Sequence, residues 1–290
     1  MDKKIFDGIL ICSDIDGTIF YQFPGTERGL VPENACRAIR YFQENGGRFT
    51  LATGRLPQYS STALPQYLIP NAPTVTLNGA VIYDAKNDIE LFKSPIKDEI
   101  ARITYDVIER YPNMIRLDLQ CSDNHSYSIK RAEDGNGYVY RDTLNRDNPF
   151  LPIRNRQEFS AIFGDITCYK TLYVFPAEDS ESAREEISAA FPEYAISRSW
   201  KNGVELQNAD ADKGHSTRRL ADILGDVRLL VCVGDYENDI SMLRSADIGY
   251  AVADALESVR CAADRVTERT CKEGALEEII YQLEAEFGCK

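Results

Sequence analysis

Two aspartates directly follow an apolar stretch near the start of the chain. The stretch Ile9-Leu10-Ile11-Cys12 has no polar alternation, which is typical of a strand in a parallel sheet covered on both faces. Asp14 and Asp16 come where this strand ends, followed by Gly17 and Thr18. Ligands of open α/β sheets bind at the carboxyl ends of strands, and clustered carboxylates are costly unless a cation offsets them. The pair therefore indicates a metal, a cationic partner or an acid/base pair, the alternative being an acidic turn that caps a helix.

Three further apolar runs also end in small, polar or acidic residues. Chance would scatter such residues over both ends of a sheet, whereas the carboxyl ends of parallel strands meet at one edge. A shared site at that edge is therefore predicted. The runs and the residues that follow them are 48–52 with Thr53, Gly54 and Arg55; 74–77 with Asn78 and Gly79; and 229–233 with Gly234, Asp235, Asn238 and Asp239.

Composition narrows the class of protein. A length of 290 residues suggests about two domains. The 33 basic and 46 acidic residues give a net charge of −13, which argues against a nucleic-acid partner. No apolar stretch approaches the roughly 18 residues of a membrane helix, and the first residues carry no cleavage signature. We therefore expect a cytoplasmic protein without a membrane partner.

The eight cysteines do not favour thiol chemistry. They form no C-x-x-C pair, and Cys12 and Cys232 fall inside predicted core strands. We interpret these two as small buried hydrophobic residues.

The two ends of the chain predict one α/β domain. Apolar residues between Pro32 and Gly46 recur at helical spacing, so a helix follows the first strand. Helix and strand patterns alternate again from about residue 210. We predict an α/β fold with a doubly wound, Rossmann-like, mostly parallel sheet, formed by residues 1–83 and 208–290.

The middle of the chain has a different pattern. Short strands with alternating apolar residues are interspersed with two amphipathic helices, which is typical of an antiparallel sheet with helices on one face. An inserted α+β domain is therefore predicted at 84–207.

Five blocks of the sequence resemble, in order, the haloacid dehalogenase-like (HAD) phosphohydrolases. The resemblance is closest to the Cof-type, class IIB members, which carry a late-inserted C2 cap domain. Spacing independently places the insertion late, because 37 positions separate Asp16 from Thr53 and 160 separate Thr53 from Lys213. The matching blocks are 14–18, 53–55, 78–80, 213–214 and 234–243.

The resemblance implies a mechanism based on an aspartyl-phosphate. Asp14 would be the nucleophile, and Asp16 would protonate the leaving group and then deprotonate water. Mg²⁺ would be bound by the carboxylates of Asp14 and Asp235 and by the backbone carbonyl of Asp16.

The resemblance also implies a set of phosphate and supporting contacts. Thr53 and Lys213 would hold the phosphoryl oxygens, assisted by backbone amides at Ile15 and Asp16. Asn238 and Asp239 would orient Lys213 and the metal ligands. Further residues expected on the phosphate or substrate side are Gly54, Arg55, Asn78 and Asn238.

Several of these residues also have a purely structural interpretation. Lys213 could be a solvated lysine at a helix start, and Asp239 could cap its helix. Arg55 could be a surface residue, and Asn78-Gly79 could form a hairpin turn. Asp254 stands where the family usually has asparagine, so its effect on the site is open.

The predicted function is a Mg²⁺-dependent phosphatase acting on a small phosphorylated metabolite such as a sugar phosphate. The alternatives are a phosphomutase with the same intermediate and a non-catalytic protein that binds a phosphorylated metabolite. The expected partner is the phosphate ester itself, and the oligomeric state is open. Candidates for substrate contacts in the cap are Arg116, Lys130, Lys170, Arg198 and Trp200.

Overall fold

The structure is a computed structural model that describes residues 4–24, 29–60, 64, 68–96, 100–121, 125–143 and 149–288. It divides into two compact units. The larger unit comprises Met1–Lys93 and Asp212–Lys290, and the smaller unit comprises Ser94–Ala211. Cys289 lies outside the described residues.

The elements follow one another in three segments of the chain. The first segment of the larger unit contains β1 (Ile9–Ser13), β2 (Tyr21–Gln22), β3 (Gly29–Leu30), α1 (Glu33–Glu44), β4 (Arg48–Leu51), α2 (Pro57–Ser60), β5 (Thr74–Thr76), β6 (Val81–Asp84) and β7 (Ile89–Lys93). The smaller unit contains α3 (Ile100–Arg110), β8 (Arg116–Cys121), β9 (Ser126–Arg131), β10 (Tyr138–Asp142), β11 (Leu151–Ile153), α4 (Arg156–Phe163), β12 (Cys168–Val174), α5 (Ser180–Ala190), β13 (Tyr194–Trp200) and β14 (Gly203–Asn208). The second segment of the larger unit contains α6 (Lys213–Leu224), β15 (Leu229–Gly234), α7 (Ile240–Ser245), β16 (Ile248–Ala251), α8 (Glu257–Ala262), β17 (Arg265–Val266) and α9 (Ala275–Phe287).

The larger unit is built on a parallel sheet with the strand order β17-β16-β15-β1-β4. Every residue of β1 is buried, as expected of a strand covered on both faces. The carboxyl ends of β15, β1 and β4 are adjacent, because β1 pairs with the other two. The predicted α/β, doubly wound core is thereby confirmed, and the three strand ends form one edge.

The predicted helical spacing of apolar residues is present in helix α1. Its residues Ala35, Ala38, Ile39 and Phe42 are buried, so the apolar stripe faces the core. Cys12 and Cys232 are buried free thiols in register on β1 and β15, in agreement with a packing role. No helix among the described residues is long and apolar enough to cross a membrane.

Strands β5, β6 and β7 form a separate antiparallel sheet. A parallel bridge between Ala52 and Val75 connects β5 to the end of β4. The connection between β5 and β6 contains Asn78 at φ 52° and Gly79 at φ 99°. The predicted hairpin at Asn78-Gly79 is therefore present.

The smaller unit contains a seven-stranded antiparallel sheet with the order β11-β10-β9-β8-β12-β14-β13. Side chains of β8 alternate between buried and partly exposed, because only one face of the strand is covered by helices. That face packs in one apolar cluster with the three helices of this unit. Members of the cluster include Ile103 of α3, Phe159 of α4, Ile187 of α5, Leu117 and Leu206.

The two boundaries between the units lie later in the chain than the predicted 83/84 and 207/208. β7 pairs with β6, so residues up to Lys93 stay with the larger unit. At the second boundary, Asn208 Nδ2 donates to the carbonyl of Pro95 at 2.8 Å, and Gln207 Nε2 donates to that of Ala211. These contacts hold the end of β14 and the following turn within the smaller unit.

Candidate functional site

Lys213 begins α6 and points its ammonium group between two carboxylates. Its Nζ donates to Asp14 Oδ1 at 2.7 Å and to Asp239 Oδ1 at 2.6 Å. The lysine side chain is fully buried, so these carboxylates replace the water that an exposed lysine would have. Asp212 caps the helix by accepting a hydrogen bond from the amide of His215 at 3.0 Å, which fixes the helix start.

Asp235 follows β15 and approaches the turn after β1. Thr18 Oγ1 donates to Asp235 Oδ1 at 2.5 Å. Gly17 has φ 93°, and a Cβ there would lie 2.4 Å from Asp235 Oδ2. Glycine is therefore required both by the backbone conformation and by the approach of the carboxylate.

Asp239 connects the turn after β15 to Lys213. Its Oδ2 accepts hydrogen bonds from the backbone amides of Asp235 at 3.0 Å and Tyr236 at 3.1 Å, while Oδ1 accepts from Lys213. The side chain is completely buried. The Asp239 side chain therefore does not cap α7, and it connects the turn after β15 to the ammonium group of Lys213 instead.

The carboxylates of Asp14, Asp235 and Asp239 form an acidic cluster in which one oxygen of each lies within 4.8 Å of the others. With all three ionised and Lys213 protonated, the cluster carries a charge of −2. Burial raises the pKa of Asp14 to about 7, although Lys213 acts in the opposite direction. Burial and the charge of Asp14 raise the pKa of Asp235 to about 8.

The protonation of Lys213 follows from the same geometry. Burial lowers the pKa of its ammonium group, but Asp14 and Asp239 outweigh burial and raise that pKa above its usual value. Lysine therefore remains charged and offsets one of the three carboxylates. The donor set suits a divalent cation, because hard cations prefer carboxylate oxygens and a double positive charge matches the remaining −2.

Thr53, Arg55 and Asp16 form a second group of contacts in the larger unit. The amide of Arg55 donates to Thr53 Oγ1 at 3.2 Å. The Arg55 guanidinium binds the Asp16 carboxylate through two hydrogen bonds, Nε to Oδ2 at 2.9 Å and Nη2 to Oδ1 at 2.6 Å. The sequence predicts that Arg55 contacts the phosphate or the substrate, and it does not predict the ion pair of Arg55 with Asp16.

The remaining predicted residues of the larger unit lie around these groups. The amide of Asn78 donates to the carbonyl of Thr53 at 2.9 Å, and Asn238 Nδ2 donates to Asn78 Oδ1 at 3.2 Å. Ile15 is buried, and its carbonyl accepts the amide of Phe20 at 2.8 Å, which shapes the turn after β1. Gly54 lies between Thr53 and Arg55 on the turn after β4.

The sequence does not predict the hydrogen bond from the Thr18 hydroxyl to Asp235. The signal that could have found it is its place in the same block as Asp14 and Asp16. Asp254, which stands where the family usually has asparagine, accepts a hydrogen bond from the backbone amide of Cys271 through Oδ1 at 3.2 Å.

The five candidate residues of the smaller unit have contacts within that unit. Two of them form ion pairs with carboxylates of the sheet, one forms an ion pair with a carboxylate of α5, and the contacts of the other two involve aromatic rings. The contacts are Lys170 Nζ to Glu205 Oε1 at 2.6 Å, Arg116 Nε to Asp118 Oδ2 at 2.8 Å, Arg198 Nη1 to Glu181 Oε2 at 2.6 Å, Lys130 Nζ at 4.6 Å from the Phe150 ring centroid, and the indole of Trp200 over Gly203.

The larger unit has buried carboxylates after its parallel strands and a buried lysine at the start of α6, and an α+β unit is inserted in its chain. This combination is typical of a class of phosphoryl-transfer hydrolases. The chain belongs to the haloacid dehalogenase-like hydrolases, whose sequence profile matches residues 11–279. Within that family it is of the Cof type.

Relatives that are similar in sequence and solved structures that are similar in fold cover nearly the whole chain. The Bacillus subtilis protein with the name "Putative phosphatase YxeH" is 30% identical over 279 residues, or 94% of this chain and 97% of YxeH. The 5-amino-6-(5-phospho-D-ribitylamino)uracil phosphatase YitU of the same organism is 22% identical over 91% of this chain and 94% of its own. The solved HAD subclass IIB sugar phosphatase BT4131 has a TM-score of 0.70 at 21% identity, covering 94% of this chain and 98% of its own. Family and relatives assign the chain to the phosphoric monoester hydrolases.

Proposed function

We propose that this protein is a Mg²⁺-dependent phosphatase that hydrolyses a small phosphorylated metabolite through an aspartyl-phosphate intermediate. The single observation that carries the proposal is the placement of the Lys213 ammonium between Asp14 and Asp239, with Asp235 in the same acidic cluster. A buried arrangement of this kind combines a candidate nucleophile, a cation for phosphoryl oxygens and carboxylates for a metal ion.

Asp14 is the proposed nucleophile. One of its carboxylate oxygens attacks phosphorus while the bond from phosphorus to the leaving oxygen breaks, and the Asp16 carboxyl gives its proton to that oxygen. In the second half, the Asp16 carboxylate takes a proton from water as the water oxygen attacks phosphorus. The bond between Asp14 and phosphorus then breaks, which releases inorganic phosphate and restores both side chains.

Lys213 and Thr53 are the proposed phosphoryl ligands. Lys213 is fixed by its two carboxylate partners, and the Thr53 hydroxyl is fixed by the amide of Arg55. Donors held in this way need no reorganisation when charge develops on the phosphoryl oxygens. Asn78 and Asn238 support the Thr53 turn through their mutual hydrogen bond.

Mg²⁺ is the proposed metal ion, held by the carboxylates of Asp14 and Asp235 and by the backbone carbonyl of Asp16. When bound, it offsets the charge of the carboxylates and of the phosphate group, which would otherwise repel each other. Asp239 is less suited to be a direct ligand, because Lys213 and two backbone amides already occupy its oxygens. Its proposed role is to hold Lys213 and the Asp235 turn.

The proposed substrate is a phosphorylated sugar or polyol. YitU acts on a phosphoribityl compound by its name, and the similar solved structure is named a sugar phosphatase. We further propose that the larger unit is the catalytic domain and that the smaller unit is the cap that selects the substrate.

The proposal is tested by measuring phosphate release from a panel of phosphorylated metabolites and from 4-nitrophenyl phosphate, with Mg²⁺ and with EDTA. We expect Mg²⁺-dependent release from monophosphates without any bisphosphate activator. A requirement for a bisphosphate would favour the phosphomutase, and failure to release phosphate from any compound would favour a binding protein.

The intermediate can be tested separately. Borohydride reduces an acyl phosphate, so rapid treatment during turnover should convert Asp14 to homoserine, which peptide mass spectrometry detects. Asp235→Asn serves as the control, because it keeps the Asp14 carboxylate but lacks a proposed metal ligand and should not be reduced. Homoserine at another aspartate would overturn the assignment of Asp14.

A further inference from the structure

The ion pair between Asp16 and Arg55 has no role in the proposed mechanism. Both oxygens of the Asp16 carboxylate accept from the guanidinium, at 2.9 and 2.6 Å. The Asp16 side chain is 52% exposed, so packing does not fix its direction. A half-exposed carboxylate without such a partner samples several rotamers.

Arg55 is itself held at several points. Its amide donates to Thr53 Oγ1 at 3.2 Å, and its carbonyl accepts the amide of Leu77 at 3.0 Å. The guanidinium carbon lies 5.8 Å from the centroid of the Phe20 ring, and Phe20 belongs to the turn that carries Asp16. The side chain therefore connects the turn after β4 to the turn after β1.

We infer that Arg55 is a positioning residue, which acts through Asp16 and does not bind the phosphate group of the substrate. This inference rests on the proposed function, in which Asp16 transfers a proton to the leaving oxygen. A planar guanidinium that binds both carboxylate oxygens fixes the plane of the carboxyl group, whereas a lysine ammonium is a point charge and does not. Proton transfer depends on this alignment because the carboxyl must reach the leaving oxygen at hydrogen-bond distance.

The first test compares two substrates that differ in their need for proton transfer. Phenyl phosphate releases phenolate, which is more basic than the 4-nitrophenolate released from 4-nitrophenyl phosphate. Hydrolysis of phenyl phosphate therefore depends more on proton transfer from Asp16. We expect Arg55→Ala to lower kcat on phenyl phosphate about 10-fold or more, with a clearly smaller loss on 4-nitrophenyl phosphate and little change in KM. Arg55→Lys should resemble Arg55→Ala, and added guanidinium ion should restore part of the lost kcat in Arg55→Ala.

The second test is a double-mutant cycle with Asp16→Asn. If Arg55 acts through Asp16, then the double variant loses no more kcat than Asp16→Asn alone. Losses that multiply, together with an equal rise in KM for both substrates, would show that Arg55 binds phosphate and would overturn the inference. Failure of the wild-type protein to hydrolyse either compound with Mg²⁺ would instead overturn the proposed function.

Arg48→Ala is the matched control. Arg48 lies at the opposite end of β4 and also forms a two-bonded ion pair, with Asp226. Its loss removes an ion pair of the same type without touching the site, so kcat on both substrates should stay at the wild-type value. Thermal unfolding of both arginine variants then separates an effect on catalysis from an effect on folding.

Discussion

Lys213 is the residue on which the acidic cluster most directly depends. Its ammonium group is completely buried and binds Asp14 and Asp239 at 2.7 and 2.6 Å. Burying an ion pair costs desolvation of both charges, so the pair itself is no evidence of added stability. Removing one partner is different, because it leaves a charge buried without compensation.

Lys213→Met is expected to destabilise the metal-free protein as well as abolish hydrolysis. At about pH 8 the free energy of unfolding should fall by roughly 3–5 kcal/mol, because two buried carboxylates lose their counterion. The loss should be smaller near pH 5.5, where Asp14, whose pKa burial raises to about 7, can take up a proton. Urea denaturation at the two pH values measures both effects. The exposed Lys93→Met is the control, and equal stability of wild type and Lys213→Met at pH 8 would contradict the prediction.

Asp14→Asn is expected to stop hydrolysis while leaving the fold intact. The amide has the shape of the carboxyl group but is a poor nucleophile, and it removes one charge from a cluster of net charge −2. Metal-free thermal stability should therefore be equal to that of wild type or higher. Phosphate release and thermal unfolding of the purified variant check both parts. Wild-type rates in this variant would exclude Asp14 as the nucleophile.

At the level of elements, the hairpin between β5 and β6 positions the start of α6. A Cβ at Gly79 would lie 2.4 Å from the carbonyl oxygen of Asp212, the residue that caps this helix. The Ser216 side chain of α6 also binds this turn, because its Oγ donates to the carbonyl of Gly79 at 2.7 Å. Because Lys213 is the first residue of α6, any shift of this contact moves its ammonium group.

Gly79→Ala is therefore expected to lower both stability and activity. The residue has φ 99°, so alanine adds backbone strain to a collision with a backbone atom, and together these should cost about 2–4 kcal/mol. Gly225→Ala is the matched control, since Gly225 has φ 75° but nothing within 4 Å of its added Cβ. It should cost only about 1 kcal/mol and leave kcat unchanged. Denaturation and kinetics of both variants separate the effect of backbone strain, which both share, from that of the collision, which only Gly79→Ala has. Equal losses of stability and kcat in the two variants would show that the contact with Asp212 is unimportant.

The sequence predicts best those strands and helices whose apolar pattern lies within the element itself and does not depend on residues far away in the chain. β1 is apolar up to Ser13, β15 is apolar throughout, and α1 has apolar residues at helical spacing, so each could be predicted from its own segment of the sequence. The two-residue strand β17 and the edge strands β7 and β11 are short and partly exposed, and they had no comparable signal. Their pairing depends on neighbours brought together by the fold.

The same distinction applies to the site. The sequence predicted the residues at the strand ends, since strand runs and small or acidic residues occur next to each other along the chain. It did not predict which side chains pair. Arg55 and Asp16 are 39 positions apart, and their contact follows from the adjacency of β1 and β4. The bond from Thr18 to Asp235 likewise depends on the adjacency of β1 and β15.

At the scale of the whole molecule, the acidic cluster makes stability depend on pH and on metal binding together. The pKa of Asp14 is raised to about 7 and that of Asp235 to about 8, from an ordinary value of 3.8. Between about pH 4 and 8 the folded protein therefore binds more protons at these groups than the unfolded chain does. The contribution of these two groups to the free energy of unfolding therefore decreases as the pH rises through this range, by up to about 1.4 kcal/mol per pH unit for each group.

Mg²⁺ competes with these protons for the same carboxylates, so its effect on stability should have the opposite pH dependence. We expect Mg²⁺ to raise the melting temperature more at about pH 8 than at about pH 5.5, where protons already neutralise the cluster. Thermal unfolding with EDTA and with Mg²⁺ across this range measures the effect. Asp14→Asn removes one of the two titrating groups, so its EDTA curve should decline less steeply with pH than that of wild type. A Mg²⁺ effect that is equal or larger at low pH would mean that the ion binds elsewhere, since protonated carboxyls bind it poorly.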